Sequence, residues 1–128
     1  MSYKQQRIWG AVFCGSAVIL GAIGAHYLKT ILSTDYLNSF HTGVQYQFFH
    51  GIALIAIRND NKRTKLMDIS IFLFTIGTVL FSGSIYTLCY LNTGTQFGLV
   101  NYIVSVTPIG GLIIIFGWVC LAIEYFRL

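Results

Sequence analysis

IWGAVFCGSAVILGAIGAHYL, residues 8–28, contains no Asp, Glu, Lys or Arg, and is bracketed by Lys4 and Arg7 before it and Lys29 after it. About twenty apolar residues are enough for a helix to cross a hydrocarbon layer of about 30 Å, with every interior backbone group bonded within the helix. The run is longer than the apolar core of a secretory leader, so it reads as a membrane span. Small residues recur along it at three- or four-residue steps: Gly10, Cys14, Ala17, Gly21 and Gly24, with Ala22 and Ala25 beside them. Helices in lipid associate by close packing, so this stripe predicts a near approach by neighbouring helices.

Three further runs follow, at about residues 39–57, 67–91 and 105–125. The second is the most polar and the third the longest. RNDNKRTK, Arg58 to Lys65, cannot enter hydrocarbon and must connect the second run to the third. Between the first two, Ile31, Leu32, Tyr36 and Leu37 recur at helical spacing, which predicts a short helix lying in the interface, with Ser33 or Thr34 as a cap. The connection from Asn92 to Val104 is uncharged. In the fourth run Gly110 and Gly117 share a face, with Gly111 adjacent, and Pro108 is expected in the first turn or two. The expected fold is all-α: one integral membrane domain, a four-helix bundle spanning residues 1–128.

Composition agrees. The apolar fraction is 55% and the charged fraction 9%, against about 25% charged in ordinary soluble domains. The net charge of +4 does not mark a nucleic-acid surface, because the basic residues lie at the edges of apolar runs rather than on one face. With the N-terminus inside, Lys4, Arg7, Arg58, Lys62, Arg63, Lys65 and Arg127 are cytoplasmic and Lys29 alone is outside. That imbalance predicts an N-in, C-in orientation. Cys14, Cys89 and Cys120 form no C-x-x-C pair and read as small apolar residues.

Depth along each run, taken at about 1.5 Å per residue from its outer end, gathers uncharged polar residues in the outer half. His26 and Thr107 fall roughly 5 Å in, and Gln47 and His50 about 10–15 Å in. Ser82 and Ser84 fall about 12–15 Å in, with Tyr86 slightly shallower. Tyr46 and Gln47 can share a helix face with His50, and Gly43 lies on the same side. The inner halves of these runs read as nearly pure Ile, Leu, Val, Phe and Gly. Three readings of the cluster compete. One is a hydrogen-bonded clamp, with Gln47 and His50 bonded to Ser82, Ser84 or a carbonyl. Another is a metal or haem site on the histidines, although His26 and His50 differ in depth by about 10 Å. The last is a proton or small-solute path, for which Asp35, Asp60, Asp68 and Glu124 all sit near span ends. Enzymatic chemistry is not expected, since there is no G-x-S-x-G, H-E-x-x-H or acid–base pair. No cofactor or metal is expected either.

Four motifs occur in order: GAIGAH at 21–26, YQFFH at 46–50, SGSIY at 82–86 and TPIGG at 107–111. Together they resemble the family known as domain of unknown function 423, which includes animal transmembrane protein 256. The resemblance extends from the first span to the last. It implies a compact four-helix protein of the bacterial inner membrane with no established activity. The chain departs from that pattern at Tyr27-Leu28, where the family often has Gly-Leu, and in a longer third connection. The expected partners are the lipid bilayer and either a larger membrane complex or further copies of the chain, in a non-enzymatic accessory or assembly role.

Overall fold

The computed structural model describes residues 1–57, 63–92 and 97–127. Arg58 and Lys62 of the second connection, and residues 93–96 of the third, lie outside the described residues. Four α-helices are described: α1 (Tyr3–His26), α2 (Thr34–Ala56), α3 (Lys65–Asn92) and α4 (Phe97–Arg127). Ser2 starts α1 with a reciprocal capping box. The Gln5 N–H donates to Ser2 Oγ at 3.2 Å, and the Ser2 N–H donates to Gln5 Oε1 at 2.8 Å.

The interfacial helix expected between the first two spans is not formed as such. A 3-10 turn at Leu28–Thr30 closes α1, and Thr34 to Asn38 are the first turn of α2 itself. Leu32 and Phe40 pack with Ile85 and Cys89, so this segment is anchored on α3. Pro108 also sits deeper than expected. Since α4 begins at Phe97, Pro108 lies in the helix interior, where it removes the N–H that would bond the Val104 carbonyl.

Among the described residues, three segments are long and apolar enough to cross a membrane: Tyr3–Thr30, Lys65–Asn92 and Val100–Arg127. Helix α2, at 23 residues, is long enough but more polar. It packs between α1 and α3, while α4 packs on α3. Consecutive helices are antiparallel: Gly10 meets Gly51 and Gly24 meets Phe40, while Gly77 meets Ile114 and Gly110 meets Phe81. A polar helix is thus flanked by two apolar ones, which limits its contact with lipid. Many outward residues of α1, α3 and α4 are large and apolar, among them Val18, Ile19, Phe72, Ile115 and Phe116. Such a continuous apolar surface suits a lipid solvent.

The glycine stripes close these interfaces. A Cβ on Gly51 would lie 2.7 Å from Cys14 Sγ and 2.9 Å from the Gly10 carbonyl oxygen. A Cβ on Gly110 would lie 2.5 Å from the Phe81 backbone nitrogen. Backbone therefore rests on backbone at both places, which only a residue without a side chain permits. Around these contacts Phe13, Leu54, Ile57, Ile71, Phe74 and Leu121 form the buried core.

Candidate functional site

The polar residues singled out from sequence separate into distinct hydrogen-bonded groups. The most connected is built on Gln47, which α2 presents to both of its neighbours. Its Nε2 donates to the Phe13 carbonyl at 3.0 Å and to Ser16 Oγ at 2.7 Å, both on α1. Its Oε1 accepts from Tyr86 Oη at 2.8 Å, on α3. Both amide protons and the carbonyl of Gln47 are therefore engaged. One turn away, Ser82 Oγ donates to the Gly43 carbonyl at 2.7 Å, bonding α3 directly to the α2 backbone. Gly43 allows this approach, with Tyr86 and Ile85 packed against it.

A second group joins α2 to α4. Trp118 Nε1 lies 3.2 Å from His50 Nε2, and His50 Nδ1 lies 2.7 Å from the Tyr46 carbonyl. An indole N–H can only donate and a carbonyl can only accept. The bonding pattern thus assigns the proton to Nδ1 and leaves the Nε2 lone pair facing Trp118. The ring is boxed by Phe74 and Tyr46, with centroids 5.4 and 6.1 Å away. Tyr46 enters this group through its backbone carbonyl and ring, while its side chain reaches the outer surface.

The third group joins α3 to α4. Ser84 Oγ donates to the Phe81 carbonyl at 2.8 Å and lies 2.6 Å from Thr107 Oγ1. With the Ser84 proton directed at Phe81, Thr107 is the donor in that pair.

His26 joins none of these groups. It is exposed at the end of α1. Depth counted from span ends put Gln47, His50, Ser82 and Ser84 in one layer, and the contacts correct this. Ser82 lies opposite Gly43 while His50 lies against Phe74, two turns or about 12 Å away along α3. The error arises because each helix extends past its apolar run by a different amount.

Sequence reading also missed polar residues in the half of the bundle expected to face the cytoplasm. Gln6 is completely buried, and its Nε2 donates to the carbonyls of Leu54 at 2.6 Å and Ile57 at 3.1 Å. It thereby serves the otherwise open carbonyls at the C-terminal end of α2. Arg63, paired with Asp68, reaches Gln6 Oε1 at 3.4 Å and the Met1 carbonyl at 3.0 Å. Ser70 Oγ donates to the Gly117 carbonyl at 2.9 Å. Thr78 is buried with its hydroxyl unpaired among the described residues. Glu124, placed from sequence near a span end, is only 4% exposed. The half expected to be inner is therefore not purely apolar. The signal for Gln6 was its position two residues before the apolar run; Ser16 and Trp118 gave none, resembling ordinary interior and belt residues.

Two cavities touch these groups, through Thr107 and Tyr86. One of about 310 Å³ lies between α2, α3 and α4, with Tyr36, Cys89, Val104 and Thr107 in its wall. Another of about 300 Å³ is lined by Tyr27, Phe40, Tyr86 and Tyr90. Neither is lined by Gln47 or His50. Among the described residues no three His, Cys, Asp or Glu side chains gather where they could hold a metal ion.

Comparison with known proteins places this geometry among relatives. A family model described as protein of unknown function (DUF423) matches residues 20–111. A UPF0382 membrane protein of Haemophilus influenzae is 41% identical over 119 residues, covering 90% of this chain and 86% of the relative. The UPF0382 membrane protein YwdK of Bacillus subtilis is 34% identical, covering 91% of each. The UPF0382 inner membrane protein YgdD of Escherichia coli is 31% identical and covers all of this chain and 94% of the relative. No solved structure matches the chain.

Proposed function

The chain belongs to the DUF423 (UPF0382) family of membrane proteins, and from that premise we propose that it is a non-enzymatic accessory or assembly subunit of the bacterial inner membrane. All four helices cross the bilayer with both termini in the cytoplasm, as the basic residues favour. One observation supports the non-enzymatic reading above the others: the polar side chains at the centre of the bundle bond to one another. Gln47 has both its amide group and its carbonyl engaged, and both nitrogens of His50 face a partner. A ligand at Gln47 would first have to break bonds to α1 and α3, and a metal at His50 Nε2 would have to displace Trp118. The cluster thus acts as a clamp that holds four helices in register and leaves their outer faces for lipid and partner helices.

Extraction of the tagged chain in a mild detergent, followed by native electrophoresis and mass determination, tests this. The expected outcome is a stoichiometric assembly larger than one chain. Migration as a lone chain under every mild condition overturns the proposal, and so does stoichiometric haem or metal in the purified protein.

A further inference from the structure

The cavity of about 310 Å³ between α2, α3 and α4 is bounded by α3 and α4, which are both long and apolar enough to cross a membrane. Ile85 and Leu88 of α3 and Val104 of α4 give it apolar walls, and none of its lining residues is charged. Ile85 and Cys89 are buried, whereas Ser39, Thr42 and Val104 are exposed, so the cavity opens away from α3, between α2 and α4. Its polar groups have already committed their protons. The Ser39 hydroxyl donates to the Asp35 carbonyl at 3.0 Å, and the Thr42 hydroxyl to the Asn38 carbonyl at 3.1 Å. Cys89 Sγ donates to the Tyr36 carbonyl at 3.4 Å, and Thr107 gives its proton to Ser84. What these hydroxyls still offer is lone pairs. Pro108 adds another acceptor, because it has no N–H for the Val104 carbonyl. In the lining only the Tyr36 phenol keeps a proton that no bond among the described residues uses.

This wall selects by chemistry. A phosphate or carboxylate head needs several donors and would find one phenol. A cationic head would find no carboxylate, and its charge would lie uncompensated against apolar walls. A bare hydrocarbon would leave the acceptors unmet. A hydroxyl suits both sides of the wall, since its proton goes to an acceptor and its oxygen takes the Tyr36 proton. We infer that the cavity binds a neutral lipid alcohol, a hydrocarbon chain ending in a free hydroxyl, which enters sideways from the bilayer. Its volume is at the low end for small-molecule pockets, about 300–1,000 Å³. It therefore takes the head end of one chain and leaves the rest in lipid.

The test uses the purified full-length chain in phospholipid vesicles with a photoreactive hexadecanol, and matched probes that end in methyl, trimethylammonium or phosphate. Saturable labelling is expected from the alcohol, on peptides that hold Leu88 and Val104, with half-saturation about fivefold lower than for the methyl-ended probe. Val104→Trp, at an exposed position in the mouth, should abolish the saturable part. The pair Ser39→Ala and Thr42→Val loses only bonds within α2, so it should keep wild-type thermal denaturation while half-saturation rises about fivefold. Equal labelling by the alcohol and methyl probes overturns the inference, as does stronger labelling by either charged probe. A half-saturation that the paired substitution leaves unchanged overturns it as well. Lipid that co-purifies with the chain and is lost in Val104→Trp should carry a free hydroxyl and no phosphate, and its mass distinguishes a diacylglycerol from a polyprenol; a phospholipid in its place overturns the inference. The site does not depend on the accessory-subunit reading, since a chain that purifies alone and still takes the label fails only that reading.

Discussion

Gln47 engages its whole amide between α1 and α3, which makes it the residue whose loss is easiest to read. Gln47→Leu keeps the volume but leaves Tyr86 Oη without its acceptor and Ser16 Oγ and the Phe13 carbonyl without their donor. Interhelical bonds in membranes contribute about 0.6–2 kcal/mol each, and an orphaned buried partner adds to the cost. The substitution should lower stability by about 2–3 kcal/mol, measured by reversible unfolding in mixed micelles. A change under about 0.5 kcal/mol, the scale of an inert surface site, would show that the clamp does not hold the bundle. Gln47 and His50 were legible in the sequence because polar residues deep in an apolar run need partners. Those partners were not legible. Ser16 looks like any small residue of a packing stripe, and Trp118 like any aromatic of a lipid-facing helix; only their positions in space show what they bond.

At the scale of elements, the small-residue stripe of α1 predicted a close approach, and α2 supplies it at Gly51. Gly51→Val would drive a side chain into Cys14 and the Gly10 backbone, at distances that a rotamer change cannot relieve. Overpacking of this kind costs about 1–3 kcal/mol, and contact with backbone belongs at the upper end. Gly15 on α1 has nothing within 4 Å of the position a Cβ would take. Gly15→Ala should therefore be neutral or stabilise by up to about 1 kcal/mol, through helix propensity alone. Thermal denaturation of the two variants in one detergent checks the contrast; equal losses would mean that the stripe's spacing, rather than its contacts, matters. Helix ends were less legible. Apolar runs mark where lipid begins, whereas hydrogen bonding continues through Asn101 and Ser105, which is why α4 starts at Phe97 and Pro108 falls inside it.

For the whole molecule, the imbalance of basic residues sets an expected topology that the packing alone does not test. In intact cells, an impermeant maleimide should label Lys29→Cys and spare Lys65→Cys, because that topology puts the connections before and after α2 on opposite sides. The native cysteines are a poor background target, being buried or half-buried within helices. Reversed labelling would invert the orientation, and equal labelling would mean that α2 does not cross. The end of the bundle that holds the chain's N-terminus carries its own fastening: Gln6 serves the last carbonyls of α2, while Arg63 ties Gln6 and the Met1 carbonyl to Asp68 at the start of α3. Its bonds from Gln6 join residues 48 to 57 positions apart, so local pattern could not announce it.

The sequence by itself determined the solvent, the number of helices and their close-packing faces. Long uncharged runs admit no other solvent, and glycine at helical spacing admits close neighbours. It also named most of the polar residues that bond inside the bundle, because such groups are too costly to scatter at random. Only the tertiary structure decided which of them meet. Depth counted along a span ignores how far each helix extends past its apolar run and how its neighbours slide against it. A shift of two turns separates Ser82 from the level of His50, leaves His26 outside, and turns one imagined cluster into three interhelical links.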